Sequence, residues 1–311
     1  MTEQLNNLQI ALKFFLQISL ELVILFIGIT FLVSLILQYV SPERVQKALS
    51  GRRLGFGNII GAVFGGVTPF CSCSAVPMMM GLLELGVPFG VAMSFLIASP
   101  LGVFNPVVLS LFGALLGPGV LLLYMAATFV AAVAAGIALD ALGLGKYVKE
   151  VRIIGASQTP DGTNLPAAGR ELFKARMRIA AAGAVGLFRQ MVPFLLVGVA
   201  IGSLIYGYIP TSFLSRIAGP DNPFAIPVAA AVGVPMYVRT ETMIPIGFAM
   251  IKKGVSVGAI MSLTIGGAGA SIPELTMLAG IFKRRLWIAY VITIFTVATL
   301  IGFMFNFLVQ V

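Results

Sequence analysis

The 311-residue chain contains only two cysteines, and both stand in one stretch, Thr68-Pro69-Phe70-Cys71-Ser72-Cys73-Ser74-Ala75-Val76-Pro77. With one residue between them they are poorly placed for an unstrained disulfide and better placed for chelation. Thiolates select soft, thiophilic ions such as Cu(I), Zn or trivalent metalloids over hard cations. Two thiols fall short for a metalloid that wants three sulfurs, but they satisfy one already carrying a carbon substituent. The hydroxyl of Ser72 stands between the pair and that of Ser74 follows it, and Pro69 and Pro77 are expected to break the helix around it. A single buried cysteine would read as a small hydrophobe; two between prolines and hydroxyls read as a binding site. There is no histidine, which excludes imidazole metal sites, Ser-His-Asp hydrolysis and histidine proton relays.

The groups that could work with the thiols come from the other half of the chain. At an offset of 168, Gly65 matches Gly233, Pro77 matches Pro245, Gly86-Val87 matches Gly254-Val255, Gly90 matches Gly258, and Met93-Ser94 matches Met261-Ser262. The same offset carries Cys71 onto Arg239 and Cys73 onto Glu241. An arginine or an acidic residue at the centre of a membrane helix costs about 2.5–3.5 kcal/mol unless paired or hydrated. Either Arg239 and Glu241 neutralise each other, or they form a charged, hydrated pocket opposite the thiols. In the second case the guanidinium favours the thiolate, and Glu241 accepts the proton that coordination releases and serves as a proton-coupling group. Asn105 before Pro106, and Ser271 and Glu274 around Pro273, lie in matching breaks. They are either turn residues or a secondary pocket at half-helix ends.

The elements that must position these groups are apolar. The chain is 59% hydrophobic and 10% charged with a mean hydropathy of +1.04, against about 25% charged for a soluble domain. Residues 1–13 lack the basic start and cleavage site of a signal peptide, so the apolar stretch 14–40 reads as a first span. Segments 57–84 and 87–116 follow, each interrupted, then a plain span at 118–139. The second half repeats the order as span 179–209, interrupted segments 224–251 and 255–282, and span 286–309. Residues 140–178 are polar and form a cytoplasmic linker between a first transmembrane repeat, 1–139, and a second, 179–311.

Loop charge sets the orientation, because short cytoplasmic loops collect Lys and Arg. Taking 87–116 and 255–282 as re-entrant hairpins, with the cysteine segment as the alternative hairpin, puts the basic residues of 41–57, 140–178, 251–254 and 282–286 on one side. Only Lys13 and Arg216 then fall on the other. The expected fold is an all-α integral membrane protein of two homologous halves, related as inverted repeats. Broken helices and re-entrant hairpins meet near the midplane, both termini lie outside, and the location is the inner or plasma membrane. The net charge of +9 belongs to these loops and implies no nucleic-acid partner.

The Thr68–Pro77 stretch resembles the hallmark of the predicted permeases of the ArsP/YraQ type, and the likeness extends over length, central polar loop and second-half motif. That resemblance implies an efflux permease for trivalent organoarsenicals or soft metal ions, with Cys71 and Cys73 as the thiol ligands. No nucleotide-binding motif is present and no cofactor is implied. The expected partners are therefore the lipid bilayer, a small inorganic or organometalloid substrate and a coupling ion such as the proton. The sequence reads as a transporter rather than an enzyme. Two competing readings are a permease for an anion or sulfur compound held by Arg239, and a membrane thiol oxidoreductase. The latter would want a Cys-x-x-Cys pair, which is not present.

Overall fold

The computed structural model describes residues 55–67, 72–149, 224–234, 240–252 and 254–309, with scattered helical positions between 20 and 35 and between 177 and 197. The expected spans 14–40 and 179–209, and most of the 140–178 linker, lie outside the described residues or are described only at those scattered positions. Five helices make up the first half: α1 (Phe56–Val67), α2 (Ser72–Glu84), α3 (Phe89–Leu101), α4 (Pro106–Leu115) and α5 (Pro118–Ala141). Five more make up the second: α6 (Ala225–Gly233), α7 (Thr240–Ile251), α8 (Val257–Gly269), α9 (Ile272–Ile281) and α10 (Arg284–Leu308). Among the described residues α5 and α10 are the helices long and apolar enough to cross a membrane on their own. Leu122, Val130, Ile292, Leu300 and Phe307 point outward from them and are exposed, as expected of faces that meet lipid.

The repeat is carried into the backbone. Helices α3 and α8 coincide residue for residue at offset 168, whereas α4 and α9 coincide at 166. The register changes because the link 102–105 between α3 and α4 is longer than its counterpart, Ala270-Ser271, between α8 and α9. Local detail repeats as well. Helix α2 stops where Gly86 takes φ +76° and Val87 N–H donates back to Leu82 O at 3.1 Å. In α7, Gly254 takes φ +92° and Val255 N–H donates to Met250 O at 3.1 Å. Both are glycine stops in which the left-handed residue spares the side-chain clash.

Close backbone packing holds each half. A Cβ on Gly65 would stand 2.5 Å from Phe95 O, and one on Gly233 would stand 2.5 Å from Leu263 O, again equivalent positions. Ser94 accepts from Asn58 Nδ2 at 3.0 Å, while its counterpart Ser262 donates to Ile226 O at 3.0 Å. The same interface therefore survives a change of side chain.

Contacts between helix ends order the elements of each half. The starts of α1 and α3 lie at the end of α5: Gly55 approaches Ile137, and Gly90 packs on Gly136 and Asp140. Since α2 turns directly into α3, the pair α1–α2 leaves that end and returns to it. The far end of α1 meets the α3–α4 break, where Phe104 N–H donates to Gly66 O at 3.1 Å. Helices α3 and α4 are bent by only 48° and carry on to the start of α5. Segment 87–116 is thus two helices joined at a bend, the geometry of a broken span or of a re-entrant loop. The second half packs in the same way around α10, where Gly302 packs on Ile226 and Gly258.

The two halves meet at one end through an isolated antiparallel bridge between Val148 and Phe282. Lys149 N–H donates to Ile281 O, and Lys283 N–H donates to Tyr147 O, both at 2.8 Å. Lys149 Nζ closes the C-terminus of α9 by donating to Ala279 O at 2.7 Å, a favourable place for a cation. Arg285 donates to Tyr147 Oη at 2.9 Å and holds that phenol below its ordinary pKa.

Replacing Gly65 or Gly233 with Ala should cost about 1–3 kcal/mol, because the backbone oxygen facing each cannot move aside. Gly113→Ala, whose Cβ would meet nothing nearer than 3.6 Å, is the control. Thermal unfolding in detergent should show a clear loss for the first two, and equal midpoints for all three would contradict the packing.

Candidate functional site

The first break is built from Ser99 to Pro106. Pro100 lacks an N–H, Gly102 ends α3 in the left-handed conformation at φ +59°, and Pro106 begins α4 at a position where its missing donor costs nothing. The carbonyls released there are satisfied from other helices. Leu101 O accepts from Tyr124 Oη of α5 at 2.8 Å, and Pro100 O accepts from Thr240 Oγ1 of α7 at 3.1 Å. Thr240 is the first residue of α7, so the start of that helix meets the break of the first half.

Asn105 fixes the next contact. Its Oδ1 caps α4 by accepting from Val107 N–H at 3.0 Å, which leaves Nδ2 facing away from that helix. Nδ2 donates to Glu241 Oε1 at 2.9 Å. The cap determines which way the amide points, so Glu241 meets a donor. Asn105 is buried and Glu241 partly so. Glu241 therefore lies against the opposite half's broken helix, a juxtaposition that spacing alone did not suggest.

At the second break α8 ends with a run of glycines in place of a proline. Gly269 O accepts from Tyr290 Oη of α10 at 2.7 Å, the counterpart of the Tyr124–Leu101 bond at matching registers. Glu274, fully buried in the first turn of α9, has Oε1 2.9 Å from the same Tyr290 Oη. Trp287 Nε1 donates to Leu275 O at 2.8 Å. Ser271 Oγ is buried without a hydrogen-bond partner among the described residues. Helix α9 packs against α2, and α4 packs against α7. Each broken helix thus leans on the returning arm of the other half.

Of the sequence candidates, Cys71 and Arg239 lie outside the described residues. Ser72, Cys73 and Ser74 form the first turn of α2, which runs on through Pro77, so that proline does not break the helix as expected; their side chains are not described. Asn105 and Glu241 come together; Ser271 and Glu274 share the second break. Tyr124, Thr240 and Tyr290 were not singled out from sequence. A readable signal existed for the two tyrosines: each lies at the same depth in an apolar span, and a buried phenol needs a hydrogen-bond partner.

The profile of a family described as predicted permease, of the ArsP type, matches residues 7–307. The UPF0718 protein YcgR of Bacillus subtilis is 25% identical over 97% of this chain and 99% of its own length. YraQ of Escherichia coli is 27% identical over 75% of the chain and 63% of its own length. The UPF0718 protein MJ0584 of Methanocaldococcus jannaschii is 29% identical over 38% of the chain, which spans only 32% of that relative. No solved structure matches.

Asn105→Asp keeps a cap acceptor but sets a second carboxylate against Glu241, so the thermal midpoint should fall. Adding Glu241→Gln supplies a donor to the new acid, and the double variant should regain most of the loss. The coupling energy expected is about 1–3 kcal/mol. Additive losses in the cycle would mean that the two side chains do not meet.

Proposed function

This chain belongs to the predicted permease family of the ArsP type, and on that premise we propose that it is a secondary transporter. Its cargo is a soft, thiol-reactive solute such as a trivalent organoarsenical or a soft metal ion, exported through a site built on Cys71 and Cys73. The observation that carries this reading is the contact of Thr240 and Glu241 with the break between α3 and α4. Non-helical backbone at membrane depth is tolerated only where it is buried in protein or lines a cavity, and duplicated transporters hold substrate where such breaks meet.

The repeat then gives the thiols an address. Cys73 is the counterpart of Glu241, and Ser271 is the counterpart of Asn105. By that equivalence the turn of the cysteine hairpin rests on the second break, beside the Ser271 hydroxyl, and the packing of α2 on α9 supports it. The sulfurs of Cys71 and Cys73, two residues apart in the chain, then hold a soft cation or an arsenical that already carries a carbon substituent.

Inversion of the halves is part of the proposal. Helices α5 and α10 are equivalent spans, and the end of one meets the start of the other at the Val148–Phe282 bridge. Two crossings that meet in this way run in opposite directions, which supports a two-fold axis in the membrane plane. Reading 56–84 and 225–251 as the re-entrant hairpins keeps six crossings. It also moves the Lys252-Lys253 loop away from the side holding 41–57, 140–178 and 282–286, and the positive-inside bias survives the change.

Cys71→Ser or Cys73→Ser should abolish resistance of cells to a trivalent organoarsenical while leaving the protein in the membrane; full resistance in both variants would overturn the thiol site. For the topology, single cysteines introduced at Lys149 and Arg284 in a chain freed of its native thiols should label from the cytoplasm. One at Lys252 should label from outside. Labelling of Lys252 and Arg284 from the same side would overturn the hairpin assignment.

A further inference from the structure

Beside the Val148–Phe282 bridge lies a cavity of about 440 Å³, lined by Lys149, Ala279, Phe282, Arg284, Trp287 and Ile288. That volume is in the range of small-ligand sites, roughly 300–1,000 Å³. Two cations from different elements line it, and no carboxylate is among the lining residues. The Lys149 ammonium is fixed against the end of α9, 2.7 Å from Ala279 O and 3.3 Å from Gly280 O. An ammonium has three protons, so one is left for a ligand. Arg284 opens α10 and is exposed. Its neighbour Arg285 is engaged elsewhere, with Nη1 2.9 Å from Tyr147 Oη and the guanidinium 5.6 Å from that ring's centre. The cavity therefore suits an anion.

Its outer wall suits hydrocarbon. Trp287 is tied down by its indole N–H, which donates to Leu275 O at 2.8 Å. Ile288 and Ile292 are both exposed, and residues four apart share a helix face. They form an apolar strip leading from the cavity along the span. A tryptophan at the end of a span belongs at the membrane–water interface, and loop charge puts this end on the cytoplasmic side.

The first half lacks the combination. At the register that pairs Tyr124 with Tyr290, Pro118 stands for Arg284, Leu121 for Trp287 and Leu122 for Ile288. The exposed hydrocarbon is kept at Leu122, but the cation and the indole are not. The shared scaffold thus does without a basic, aromatic end, and packing alone does not account for it.

We propose that this cavity binds the headgroup phosphate of an anionic phospholipid of the cytoplasmic leaflet, with an acyl chain laid along Ile288 and Ile292. Lys149 and Arg284 hold the phosphate, and Trp287 sits level with the glycerol. Basic pockets at the cytoplasmic ends of membrane helices select such lipids. Lys149 comes from the chain after α5, and the other lining residues come from α9, α10 and the turn between them. A bound lipid therefore clamps the junction of the two halves. The site is separate from the breaks and from the thiols, and goes beyond the transport reading.

Trp287 is the single tryptophan of the sequence, so its fluorescence reports on the cavity directly. In phosphatidylcholine bilayers the purified chain should be quenched by phosphatidylglycerol brominated on its acyl chains. Brominated phosphatidylcholine should need a higher mole fraction for the same effect; equal quenching by the two overturns the proposal. In Arg284→Gln the preference for the anionic lipid should fall about fivefold, the share of one basic residue at a membrane surface. Arg285→Gln removes the same charge from a side chain held by Tyr147 and should keep most of the preference. Equal losses in the two variants would mean diffuse surface charge and no site. Should Arg284→Gln fail to fold, the wild type still decides. Added salt should weaken its preference, because exposed charges are screened, and a preference indifferent to salt contradicts the ionic contact. Inorganic phosphate at millimolar concentration should leave the quenching in place; reversal would assign the cavity to the free anion and refute the lipid.

Discussion

Everything in this molecule follows from the need to satisfy backbone carbonyls where helices are broken in an apolar setting. A carbonyl freed at the end of α3 or α8 has no water to turn to, and leaving it bare costs several kcal/mol. Two tyrosines at equivalent depth take one carbonyl each, Leu101 O and Gly269 O. The next partner comes from the opposite half, as Thr240 reaches Pro100 O. The first break is thus satisfied in part across the two halves.

That arrangement explains how one scaffold carries unlike chemistry at equivalent places. Cys73 answers to Glu241, Asn105 to Ser271, and Val108 to Glu274. The skeleton of glycine stops and close backbone approaches is held in common, since Gly65 and Gly233 meet equivalent carbonyl oxygens. What differs is confined to side chains at the two breaks. An amide–carboxylate pair, Asn105 and Glu241, meets at one break, and Ser271 and Glu274 share the other.

Much of this was legible in the sequence, for identifiable reasons. Glycine and proline report backbone demands directly, so the 168-residue recurrence and the positions of the breaks could be read. The cysteines and the buried acids stood out by type. The change of register to 166 could not be seen, because hydropathy does not count residues inside a link. Nor could the choice of hairpin, since both interrupted segments are equally apolar. The contacts of Gly55 with Ile137 and of Gly90 with Gly136 are what favour the cysteine-bearing segment in the proposed topology. Tyr124 and Tyr290 passed as ordinary aromatic residues of a span until their hydroxyl partners were known.

The most direct test of the account is a cross-link between the cysteine turn and the break of the opposite half. With Cys71→Ser and Ser271→Cys in place, Cys73 and the new thiol are the only cysteines in the chain. A protease site introduced into the 140–178 linker then separates the halves. After oxidation in the membrane and cleavage, the two fragments should remain joined without reductant and part when it is added. Fragments that separate without reductant would contradict the central claim that each half's turn is seated on the other half's broken helix.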